Sequence, residues 1–116
     1  MVLVGWDVKR NGEALQIYIS KLGAAGSELA QNVNRWRRQA GLEQLSGAEL
    51  KNTIDPMKIG GVDGHFVNLR GASKTITGAI AIRGGTGWFF KLQGNPKLAA
   101  EEKENFELWL KSIQFE

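Results

Sequence analysis

The sequence predicts an α+β fold, an antiparallel β-sheet with helices packed on it. Three observations lead there. Several short stretches alternate apolar and polar residues with a period of two, the pattern of a strand with one buried face. The links between the later ones are short and contain glycine, too short for helical crossovers, which makes antiparallel neighbours of the strands they join. Other segments carry apolar residues at helical spacing between recognisable capping residues.

Leu3 to Lys9 is strand-like, and Leu15, Ile17 and Ile19 alternate with Gln16, Tyr18 and Ser20 in a second strand. Arg10-Asn11-Gly12 lies between them, and Asn-Gly accepts the positive φ of a tight hairpin, so the chain is expected to open with one. Gly23 to Gly26 reads as a loop, with Ser27 as N-cap of the next helix. In that helix Leu29, Val33, Trp36 and Ala40 recur at helical spacing. Gly41 stands where a helix is stopped, and Leu42 is placed to fold back on it.

Ser46-Gly47-Ala48-Glu49 has the spacing of a capping box, with Leu45 and Leu50 as its hydrophobic staple. This second helix is expected to end near Asp55, because Pro56 disfavours helical geometry in the residue before it. Gly60 to Gly64 reads as a turn. Strands are expected at His65 to Arg70, Lys74 to Arg83 and Gly87 to Leu92, with Ile76, Ile80 and Ile82 on one face of the second and Trp88, Phe90 and Leu92 on one face of the third. Asn95 and Pro96 then open a helix with Ala99, Phe106, Trp109, Leu110 and Ile113 on its apolar stripe. The expected order is β-β-α-α-β-β-β-α, with the helices on one face of the sheet.

A chain of 116 residues with 42% apolar and 23% charged residues is expected to form one domain, residues 1–116, able to bury a core of its own. Cysteine is absent, which removes disulfides, thiolate nucleophiles and sulfur-ligated metals together. No apolar run approaches the roughly 20 residues that span a bilayer. Met1 to Asp7 has neither the basic start nor the apolar core of a signal peptide, so the chain as written is expected to be soluble and without an address. Residues 1–96 hold twelve basic and seven acidic side chains, and residues 97–116 three and five. A mildly basic body with an acidic last helix falls short of the concentrated charge of a dedicated nucleic-acid binder.

The inventory offers little for catalysis. His65 is the single histidine and Asp63 stands alone beside it, so no histidine pair, triad or histidine-rich metal site can be assembled. Glu101, Glu102, Glu104 and Glu107 belong to the solvated back of the last helix. Gly84-Gly85-Thr86-Gly87 leads into Trp88-Phe89-Phe90, a strand rather than a helix, and so reads as a hairpin turn, not a phosphate loop. Asn68 and Arg70 share the face of Phe66 and either line a groove or face water. Trp36, Trp88 and Trp109 fall on core stripes, while Trp6 either caps the core or lies in an interface. No catalytic, cofactor-binding or metal-ligating residue is expected.

One run is richer. Asn32 to Leu42 holds three arginines, two asparagines and a tryptophan, and Asn32, Asn34, Arg35, Arg37 and Arg38 are the candidate partner-binding residues. With Leu29, Val33 and Trp36 toward the sheet, Arg35 and Arg38 share one flank with Gln31, and Asn34 and Arg37 another. Arg35 and Arg38 either grip a phosphate or carboxylate or form an ordinary solvated face.

Gly87 to Pro96, with the helix after it and the closing Leu110 to Phe115, resembles the end of small bacterial proteins of the Mog1/PsbP-like α/β/α sandwich type. The Asn32-to-Leu42 run resembles a segment of uncharacterised bacterial proteins with that same tail, often exported or lipid-anchored. The two motifs cover about a third of the chain. Characterised members of that fold bind protein partners, such as a small GTPase or photosystem II, and are not enzymes, so the resemblance implies an interaction role. Relatives have an export signal and further strand sequence before the first hairpin, which implies a barer sheet edge here and a homodimer or strand exchange through it, the module binding a partner or itself through that edge or through the flank of the Asn32-to-Leu42 helix. Two alternatives stand beside that reading. One is a polyanion binder using Arg35, Arg37 and Arg38 with Lys74, Arg83 and Lys91; the other is a small-ligand binder in a pocket between sheet and helices.

Overall fold

A computed structural model describes residues 2–23 and 29–115, and the side chains from Val4 onward within them. The expected loop from residue 24 and its Ser27 cap lie outside the described residues. Strands β1 (Val2–Arg10) and β2 (Glu13–Gly23) form the opening hairpin. Its turn has positive φ at both Asn11 (53°) and Gly12 (81°), the geometry Asn-Gly favours. Helices α1 (Leu29–Gln39) and α2 (Gly47–Lys51) follow, then β3 (Asp55–Ile59), β4 (Val62–Arg70), β5 (Thr75–Arg83), β6 (Thr86–Gly94) and α3 (Pro96–Ser112). All the strands join one antiparallel sheet in the order β1-β2-β6-β5-β4-β3.

Two differences from the sequence reading stand out. Helix α2 stops at Lys51, well before Asp55, because Asn52 and Thr53 close its carbonyls: the Asn52 amide donates to Glu49, and the Thr53 amide and hydroxyl both donate to Leu50. Asp55–Ile59 is then a strand, so the order gains an element as β-β-α-α-β-β-β-β-α. Pro56 is compatible with it because β3 is an edge strand that pairs only with β4, so the missing N–H breaks no inner ladder. The turn expected over Gly60 to Gly64 narrows to Gly60 and Gly61, leaving Val62–Gly64 to extend β4.

The second difference is layering. Helices lie on both faces of the sheet, because the inner strands are apolar on both sides. One core layer holds Leu15, Phe66, Ala79, Phe90 and Leu92 under Leu98, Phe106 and Leu110 of α3. The other holds Val67, Leu69, Ile76, Ile80 and Phe89 under Val33 and Trp36 of α1 and Leu50 of α2. Strand β5 is buried along Thr75–Ala81, as a strand covered on both faces must be. Gly78 matters here because a Cβ on it would lie 2.3 Å from the Trp36 ring, so its bare backbone is what lets the indole lie on the sheet.

The cover is uneven. On the α3 side it reaches β1, where Trp6 meets Trp109 edge-on at 5.7 Å. On the α1 side the helix contacts β4 and β5 and overhangs Phe89 of β6. The polar positions Gln16, Tyr18 and Ser20 of β2 and Lys91 and Gln93 of β6 are left on an open sheet face beside it.

Candidate functional site

The arginine run lies in α1, and the structure separates its candidate residues by use. The helix ends as its glycine foretells: the Gly41 amide donates to Arg38 at 3.0 Å and the Leu42 amide to Arg37 at 2.8 Å, the two bonds of a Schellman closure. Asn34 is a clamp. Its amide nitrogen donates to the Leu45 carbonyl and its oxygen accepts from the Leu45 amide, both at 2.9 Å, so it acts like a strand partner for the incoming segment. The Arg37 Nε donates to the Glu43 carbonyl at 2.6 Å, holding the same connection. Asn32 is 3% exposed. Beyond the clamp, Leu45 and Leu50 pack in the same core layer, and Ser46 and Glu49 form both halves of the capping box. The Ser46 backbone and then its hydroxyl, bonded to the Glu49 carboxylate, hold that acid below its ordinary range.

Arg35 and Arg38 are exposed, and among the described residues neither makes a hydrogen bond or ion pair. Arg35 stands between two concavities. One, of about 420 Å³, has Tyr18, Ser20, Leu22, Phe89 and Lys91 as its sheet floor and Arg35, Trp36 and Gln39 as its helical wall. The other, of about 520 Å³, lies along Leu22, Gln31, Asn32, Asn34, Arg35, Arg38 and Gln44. Among the described residues neither lining includes a carboxylate. The Lys91 ammonium donates to the Gln39 side-chain carbonyl and sits 5.9 Å over the Trp36 ring. Burial first, and then the charges of Lys74 and Arg35, bring its pKa down to about 8.

The opposite corner of the sheet is apolar. Among the described residues the exposed large hydrophobic side chains are Val4, Trp6, Ile82 and Leu108. Val4 and Trp6 lie on the α3 side of the edge strand β1, and Leu108 adjoins Trp109 in α3. Between them Trp6, Val8, Ile17, Asn105 and Trp109 line a shallow depression of about 130 Å³. Trp109 is the centre of this cluster, with Phe106 at 5.6 Å and Phe90 at 5.9 Å.

The remaining candidates fall into place. Asn68 and Arg70 line a groove beside the start of α3, and Asn68 accepts from the Thr77 hydroxyl at 2.7 Å. His65 is exposed on β4. Gly84 and Gly85 form the β5–β6 turn. Arg10 reaches Glu102 at 3.0 Å and Glu101 at 3.9 Å, tying the hairpin to α3. Among the described residues no group of three or more His, Cys, Asp or Glu side chains converges as a metal site. No described helix is long and apolar enough to cross a membrane. Sequence reasoning had not joined Tyr18, Gln39 and Lys91 into one cleft, although the polar positions of β2 and β6 carried the signal.

No protein-family model matches the chain, and no curated protein matches it. A solved structure of a Pseudomonas aeruginosa protein of unknown function, PA94, described as a candidate regulator, shares the architecture with a TM-score of 0.62. It is 13% identical, and the match covers 97% of this chain and 82% of that one. That likeness concerns the fold alone.

Proposed function

We propose that this protein is a non-enzymatic protein-interaction module that self-associates through the β1 edge of its sheet. The observation that carries the reading is the contrast between the two edges. Strand β3 has five residues, includes Pro56, and bears an ion pair between Lys58 and Asp63 of β4; such features blunt an edge against pairing. Strand β1 has nine residues and no proline; it has a bulge between Val2 and Val4 and ends in Lys9 and Arg10, but its middle carries Val4 at 46% and Trp6 at 40% exposure. A second β1 brought alongside pairs with an edge that no other described strand covers, and buries Val4 and Trp6 in one step.

Antiparallel partners share a face, so a two-fold pairing sets residues of equal parity opposite one another. Centred on Asp7 it opposes two carboxylates; centred on Trp6 it sets Trp6 against Trp6 and Val4 against Val8, within the regular part of the strand. The layering of helices on both faces and the tail motif support the Mog1/PsbP-like reading, whose characterised members act by binding proteins. Sedimentation velocity across a concentration series is the test. The reading expects a reversible dimer that Trp6→Glu abolishes with the fold intact, and a strict monomer at millimolar concentration would exclude it.

A further inference from the structure

A second surface, on the face of the sheet opposite the β1 apolar patch, has a different chemistry. In the cleft between α1 and the open face of β2 and β6, a partly buried ammonium has no counter-ion among the described lining residues. Lys91 is bonded to a neutral amide oxygen, stands over an indole, and has Arg35 and Lys74 as its charged neighbours. A buried charge is ordinarily paired, and surrounding it with like charges adds to the cost of desolvating it. That cost is offset when an anion enters. A perturbed cation in a cleft, with no opposite charge among the described lining residues, is a candidate for binding an anion.

The shape supports the same conclusion. A concavity of about 420 Å³ falls within the range of small-molecule sites, roughly 300–1,000 Å³. Tyr18 and Leu22 give it an aromatic and aliphatic floor over the buried Trp36 and Phe89, and Arg35 and Gln39 stand near Lys91 on its helical wall. The Arg35 guanidinium, without a partner among the described residues, adds a fork of donors suited to a carboxylate or phosphate.

We propose that this cleft binds a compact organic anion, its charged group held by Arg35 and Lys91 and its body lying against Tyr18 and Leu22. Phosphate monoesters and carboxylates share the required chemistry. The facing charged or titratable groups are Arg35 and Arg38 of α1, Lys74 from the β4–β5 connection and Tyr18 of β2, with Lys9 and the carboxylate of Asp7 farther along the same sheet face beside Lys74; cations outnumber that carboxylate, so the site stays cationic through neutral pH. Bound anion favours the charged ammonium, and affinity therefore falls as pH rises through the Lys91 titration.

The test is an NMR titration of the full chain, following the Trp36 indole N–H and the amides of residues 35, 39 and 91. The probes are phenyl phosphate, phenylacetate, neutral benzyl alcohol and a single-stranded oligonucleotide. Either small anion is expected to give saturable shifts with a Kd near or below about 1 mM, about −4 kcal/mol, with the alcohol much weaker. Whichever of the two binds more tightly names the head group. Arg35→Gln and Lys91→Met should each weaken it roughly tenfold or more, as loss of a charge-assisted hydrogen bond implies. Arg70→Gln, removing the same charge from the other side of the sheet, should leave it unchanged, and matching spectra of the free variants show that each has folded. The proposal is overturned if neither anion saturates below about 10 mM, if the alcohol binds equally, or if Arg70→Gln weakens binding as much as Lys91→Met. Binding of the oligonucleotide alone, with steep salt dependence, would overturn it in favour of a polyanion surface.

Discussion

Gly78→Ala isolates the contact on which the α1 layer depends. At an unobstructed strand position this change stabilises a protein by about 0.4–1 kcal/mol, because the unfolded chain loses freedom. Here the added Cβ would lie 2.3, 2.8 and 3.0 Å from three Trp36 ring carbons, and Trp36 is 2% exposed and edge-on to Phe89 at 6.4 Å. The ring cannot tilt without disturbing Phe89 or lifting α1, so the overpacking cost of about 1–3 kcal/mol reverses the sign. For a domain of this size that is a fall in Tm of roughly 3–15 °C. Urea unfolding followed by tryptophan fluorescence, together with near-ultraviolet circular dichroism, measures it. Trp36→Leu in the Gly78→Ala background should recover part of the loss relative to the sum of the single changes, since the two residues share one volume. A Gly78→Ala protein as stable as the parent or more so would refute this account of how α1 seats.

Four further outcomes follow from individual contacts. Asn34→Ala removes both bonds to the Leu45 backbone and should cost about 2 kcal/mol in chemical denaturation, while Asn34→Asp should cost less because it retains the acceptor. Ser46→Ala should cost about 1 kcal/mol by removing the α2 cap, with the loss confined to amide exchange in residues 46–54 and the segment Asn34 holds. Because the Glu49 carboxylate is held below its ordinary range, its capping contribution is present above the usual glutamate pKa and fades as pH falls through the lowered value. The Lys91 ammonium should titrate near pH 8 by carbon-detected NMR. Its folded pKa lies below its unfolded value, so between about pH 8 and 10.5 the unfolded chain binds more protons and stability should rise with pH, a slope Lys91→Met should flatten.

Much of the fold could be read from local chemistry. The Asn11-Gly12 turn, the Gly41 stop, the Ser46–Glu49 box and the Asn95-Pro96 start are each satisfied within a few residues, so tertiary context had little to override. The β3 strand was hidden because its Pro56 is incompatible with an inner strand, and only the sheet order reveals that it lies at an edge. Helices on both faces were hidden for a related reason: two-sided burial shows in β5 as a run of small and apolar residues, and Thr75, Thr77 and Gly78 break that run. Within the arginine run, helical spacing did separate the Arg35–Arg38 flank from the Asn34–Arg37 flank. That Asn34 and Arg37 would bind the returning backbone depended on where residues 43–45 pass, and the run contains no sign of it. The cleft needed Tyr18, Gln39 and Lys91 brought together from three elements, which no single segment displays.

Sedimentation equilibrium of the parent chain beside Trp6→Glu tests the central proposal most directly. Two Trp6 side chains, each with about 40% of its surface still exposed, stand to lose roughly 100 Å² each, on the order of 5 kcal/mol for the pair. The account predicts a dimer in the parent and a folded monomer in Trp6→Glu, with Ile82→Glu, on a different strand, still dimeric. A parent that remains monomeric, or a Trp6→Glu protein that dimerises as tightly as the parent, would contradict it.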